Sequence, residues 1–77
     1  MNDERRMKIA ALVKRLENIK AAIGELFLQE RTASNATPKD FQQSEHGQRS
    51  ETATDDLDEA AKSVSTAIDH LEDARLK

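Results

Sequence analysis

The residues of this 77-residue chain that could carry chemistry are two histidines, a cluster of carboxylates and a short run of cations. An imidazole works as the base of a nucleophilic site only when it is sheltered and held in one orientation by a second group. His70 falls on the solvent side of an expected helix and His46 in a polar stretch, so neither position supplies that shelter. Asp55, Asp56, Asp58 and Glu59 are dense enough to attract a hard cation, but they lack the spacing and the distant Glu of a calcium loop. A di-iron bundle needs a Glu three residues before an inward His, and residues 43 and 67 are Gln and Ala. Gly24 and Gly47 are the only glycines, too few for a phosphate-cradling loop, and without Cys there is neither a disulfide nor a thiolate metal site. The expectation is a non-enzymatic protein with no catalytic residues, no metal or other cofactor and no small-molecule substrate.

The cations are the stronger chemical signal. Helix-forming residues near the N-terminus include Arg5, Arg6, Lys8, Lys14, Arg15 and Lys20. A cationic helix face neutralises nucleic-acid phosphates. Once Arg6 and Lys20 are assigned to acidic partners, Lys8, Lys14 and Arg15 remain as candidate nucleic-acid contacts. The net charge of −3 opposes that use, so a small RNA- or DNA-binding regulator is the rival reading.

These side chains would sit on helices, which the apolar spacing predicts. Ile9, Leu12, Leu16, Ile19, Ile23 and Leu26 recur three and four residues apart, the a/d pattern of a helix that packs on another helix. Leu57, Ala61, Val64, Ile68 and Leu71 repeat the pattern. The first helix is expected over about residues 3–31, with Asn2 as N-cap and Asp3 and Glu4 complementing the positive end of its dipole. Gly24 would interrupt it on the face away from the seam. The second helix is expected over about 54–75, capped by Thr52 or Thr54, with the acidic cluster in its first turn. Between them lies a polar connection, partly ordered by a short helix over about 38–46. Thr37 would cap it, Pro38 begin it, Phe41 anchor it and Gly47 end it.

The fold class is therefore all-α: one domain, residues 1–77, forming an antiparallel helical hairpin with heptad seams and a long, partly ordered connection. Folding the seams together pairs Ile9 with Leu71, Leu12 with Ile68, Leu16 with Val64, Ile19 with Ala61 and Ile23 with Leu57. Opposed residue numbers then sum to about 80 in this antiparallel pairing. One flank would bring Arg6 to Glu72, Val13 to Ser65 and Lys20 to Asp58.

Ala53, Ala60, Ala67 and Ala74 form a second packing stripe at a seven-residue spacing beside the seam. A seam plus a stripe suits a helix with two neighbours, so the hairpin is expected to dimerise into a four-helix bundle. Consecutive Leu26, Phe27 and Leu28 cannot share one seam, which makes Phe27, Leu28 and Phe41 a candidate partner patch. The expected partners are a second copy and another protein. The role is that of a small adaptor, a chaperone-like subunit or a regulator. No apolar stretch reaches membrane-spanning length, and the opening residues MNDERRMK have no signal-peptide core. No membrane partner is expected, and the expected compartment is the cytoplasm.

Overall fold

The computed structural model describes residues 1–35 and 45–77, with side chains described at 1–33 and 51–77. Two helices make up the described chain, α1 (Asp3–Asn35) and α2 (Glu45–Arg75), and they pack against each other. Among the described residues there is no strand.

The start of α1 follows from its cap. The Asn2 side-chain oxygen accepts a hydrogen bond from the Arg5 amide at 2.9 Å, and the Asn2 carbonyl accepts one from the Arg6 amide at 3.1 Å. The first bond satisfies an amide that has no partner within the helix. Asp3 and Glu4 occupy the first turn, where the dipole favours negative charge. The helix runs past Arg31 to Asn35.

The start of α2 differs from the sequence expectation. The helix begins at Glu45 and passes through Gly47, Thr52 and Thr54. Gly47 therefore ends no turn, and the threonines are not helix caps. Propagating an existing helix adds one backbone hydrogen bond per residue and avoids the cost of a new nucleus. That gain outweighs the weak helix propensity of Gly and Thr. Asp55, Asp56, Asp58 and Glu59 consequently lie in the helix interior, and their complement cannot be the terminal dipole. The expected short helix over 38–46 falls outside the described residues, apart from Glu45 and His46 in the first turn of α2. Thr37, Pro38 and Phe41 are outside them as well.

The helices run antiparallel. Arg6 Nε, near the start of α1, donates to the carbonyl of Arg75 at the end of α2, at 3.3 Å. These two positions lie within one residue of the register that opposes residues summing to about 80. The contact places a cation on the negative end of the α2 dipole. Asp3 holds the same guanidinium at 3.1 Å, and Glu72 pairs with Arg75. The expected Arg6–Glu72 bridge is thus replaced by a chain of neighbours at the open end of the hairpin. Local partners three residues away are already aligned on one helix face, whereas a cross-helix bridge must fix two long side chains.

A helix of 33 residues is about 50 Å long at 1.5 Å per residue. The molecule measures 58 × 14 × 12 Å, so the helices lie side by side along their length. Its radius of gyration is 17.4 Å, against about 11.5 Å for a globular chain of this size. A rod of this kind encloses little. Val13, at 6% exposure, is the one buried hydrophobic residue among those described.

Gly24 is half-buried within α1. A Cβ at this position would meet nothing within 4 Å. No close approach requires the glycine, and its backbone freedom in the unfolded chain is a net cost. Gly24→Ala should therefore stabilise the protein by about 0.5–1 kcal/mol. Urea denaturation followed by circular dichroism should show a higher midpoint, and an unchanged or lower one would contradict this account.

Candidate interaction surface

The surface begins with how α1 presents its residues to α2. Ile9, Leu16, Ile23 and Phe27 are half-buried and Val13 is buried. With Lys20, which is exposed, they form a strip with steps of four, three, four, three and four. From α2, Leu57, Ala61, Val64, Ile68 and Leu71 are half-buried, as are Asp58, Ser65 and Glu72 beside them.

This corrects the seam read for α1. Leu12, Ile19 and Leu26 were expected to face α2, but they are 45%, 49% and 52% exposed. The first helix carries two overlapping strips that share Ile9, Leu16 and Ile23. One adds Leu12, Ile19 and Leu26; the other adds Arg6, Val13, Lys20 and Phe27. The hairpin uses the second, which buries Val13 and brings Arg6 to the C-terminal carbonyl of α2. The signal for it was present in the seven-residue spacing of Arg6, Val13, Lys20 and Phe27. Two charged members make that strip look like a flank.

The outcome is a solvent-facing stripe of aliphatic residues interrupted by two cations. On α1, Lys8, Leu12, Arg15, Ile19, Ala22 and Leu26 follow one another by steps of four and three, so they share one face. All six are exposed. The Ala stripe on α2 is divided: Ala67 and Ala74 are half-buried, whereas Ala53 and Ala60 are exposed. The helix with a large uncovered apolar face is therefore α1, not α2.

The candidate partner patch is only partly assembled by the described residues. Phe27 is half-buried, with the Arg31 guanidinium 5.9 Å from its ring centroid, while Leu28 is 62% exposed. Leu28, Gln29, Thr32 and Ala33 line an open, mainly apolar depression. Phe41 lies outside the described residues.

The charged residues are arranged locally. Lys8 pairs with Glu4 at 3.4 Å. Lys14 and Arg15 are both exposed, but successive residues point about 100° apart, so they do not share a face with one another. The acidic cluster is met by Lys62, whose Nζ lies 2.9 Å from Asp58 and 3.7 Å from Glu59. Asp58 therefore bonds within its own helix rather than to Lys20. An acid four residues before a lysine is the favourable helical order and needs no tertiary register. Among the described residues no group of three or more His, Cys, Asp or Glu could hold a metal ion. His70 is exposed, and the side chain of His46 is outside the described set. No described helix is long and apolar enough to cross a membrane.

No protein-family model matches this chain, and no curated protein or solved structure is significantly similar to it.

The hydrogen bond that the Lys62 ammonium donates to Asp58, and then the charges of Asp58 and Glu59, raise its pKa above the ordinary lysine value of 10.5. A pKa raised on folding stabilises the folded state fully below the unfolded value and loses that contribution as pH rises through the folded one. The ion pair is thus fully effective at neutral pH and fades in the alkaline range. Replacing Asp58 by Asn should lower the Lys62 titration midpoint in an NMR pH series. A double-mutant cycle on Lys20 and Asp58 should be additive, since Asp58 is engaged elsewhere. A midpoint unmoved by the Asn substitution would argue against the local pair.

Proposed function

We propose that this chain is a non-enzymatic helical interaction module that works by self-association and by binding protein on its helix faces. Two hairpins join into a four-helix bundle, completing the heptad packing that one hairpin leaves half made. The bundle then serves as a small adaptor, a chaperone-like subunit or a regulator. The observation that carries this reading is the heptad-spaced exposure of Leu12, Ile19 and Leu26 on one face of α1. Each large aliphatic side chain contributes roughly 1.5–3 kcal/mol when fully buried. Three in a row, backed by half-buried Ile9, Leu16 and Ile23, make a contiguous patch of the kind that marks an interaction site. Phe27, Leu28 and Phe41 remain the proposed contact for a different protein, of which Phe27 and Leu28, in α1, lie among the described residues.

The surface and the hairpin's own strip can be separated by substitution. Ile19→Asp places a charge on the uncovered face, whereas Val13→Asp places one in the buried strip between α1 and α2. Analytical ultracentrifugation should give a dimer for the native chain and a helical monomer for Ile19→Asp. Val13→Asp should lose most of its helical circular dichroism. A native monomer, or an Ile19→Asp variant that dimerises as well as the native chain, would refute the proposal. Salt-sensitive retardation of RNA or DNA, lost on replacing Lys8, Lys14 and Arg15, would instead support the nucleic-acid reading.

A further inference from the structure

We infer that the second copy docks α1 against α1, antiparallel, across a two-fold axis at Ile19. This rests on the self-association proposed above and specifies its interface.

Three features select this arrangement. The first is symmetry. Leu12 and Leu26 lie seven residues to either side of Ile19. An isologous dimer places the same surface on both subunits, so each residue and its opposite number exchange roles. Turning one α1 over about Ile19 sets Leu12 against Leu26 of the second copy, Ile19 against Ile19, and Leu26 against Leu12. The three large aliphatic residues of the stripe are their own complement in that orientation.

The second is charge. Lys8 and Arg15 stand on the same face as the stripe. In a parallel pair each would face its own copy, and like charges at close range oppose association. In the antiparallel pair Lys8, which Glu4 of its own helix already holds, lies at the level of Glu30 of the second copy and not of another Lys8. Arg15 lies at the level of Ala22 and Ile23 of the second copy. The helix dipoles are antiparallel as well.

The third is area. The chain exposes 5995 Å², against roughly 4700 Å² for a globular monomer of its mass. A standard interface covers roughly 800 Å² per partner, an area that a rod of this surface can give up to a second copy. A contact between α1 and α2 of the second copy is the competing arrangement. It is disfavoured because Leu57, Val64, Ile68 and Leu71 are already half-covered by α1. Among the described residues, the aliphatic positions of α2 that stay exposed are Ala53 and Ala60, which are small.

The chain contains no cysteine, so single cysteines report proximity without background. Leu12→Cys, Ile19→Cys and Leu26→Cys change residues that are already about half exposed in the hairpin, and circular dichroism verifies that each variant folds. Each is oxidised, or treated with a short bismaleimide, and run on a non-reducing gel beside exposed Asp69→Cys as the background. The expected pattern is a covalent dimer for Ile19→Cys alone and background linking for Leu12→Cys and Leu26→Cys alone. An equimolar mixture of those two should cross-link several-fold above background.

Self-linking by all three single variants would mean a parallel pair and overturn the inference. Linking of Ile19→Cys only to Ala60→Cys or Ala67→Cys in a mixed sample would place α2 on the stripe and overturn it too. In both cases a dimeric mass for the native chain in analytical ultracentrifugation would leave the proposed function standing. A native monomer would remove the inference and the self-association together.

Discussion

Two helices lying side by side touch along one strip, and that strip is the whole of the burial available to a hairpin. The rod-like dimensions of 58 × 14 × 12 Å express this limit, as does Val13 being the single buried hydrophobic residue among those described. Each helix presents its full circumference, and one neighbour covers only the face turned towards it. Any apolar residue beyond that face stays in water unless another molecule covers it. The rotation of α1 about its own axis therefore decides which residues form the hairpin and which remain available.

That rotation has an electrostatic and a steric component. Turning the helix so that Val13 points at α2 also carries Arg6 to the C-terminal carbonyl of Arg75. The guanidinium then bonds to a backbone group that the helix end leaves without an internal partner, while Asp3 holds it in place. The alternative rotation would bury Leu12, Ile19 and Leu26, but it would carry Val13 and Phe27 outward. With a single neighbour, one of the two apolar sets must be exposed. A second neighbour on the exposed set would remove the conflict.

The charged residues follow a simpler logic. Lys62 is met by Asp58 and Glu59, Lys8 by Glu4, and Arg75 by Glu72, each three or four positions away. Such pairs form wherever the helix forms and do not depend on how the helices are docked. The cross-helix pairs expected between Lys20 and Asp58 and between Arg6 and Glu72 required both helices to be in place first. Local partners captured the acids instead. In this protein surface charge supports the individual helices more than it specifies their pairing.

The sequence by itself determined the helical class, the start of α1 and the antiparallel pairing. Each rests on local chemistry: the three-and-four spacing of aliphatic residues, the Asn2 side chain reaching the Arg5 amide, and two strips of comparable length. The contacting residues of α2 were legible for the same reason, since Leu57, Ala61, Val64, Ile68 and Leu71 recur three and four apart and include its large aliphatic residues. The tertiary structure decided what the spacing left degenerate. In α1 two strips share Ile9, Leu16 and Ile23, and only the presence of α2 selects Val13 and Phe27 over Leu12 and Ile19. It also moved the start of α2 to Glu45, because a docked helix extends through weak helix formers at little cost. Periodicity specifies that a helix has an apolar face; which part of that face meets the neighbouring helix is decided only when both helices compete for the same covered strip.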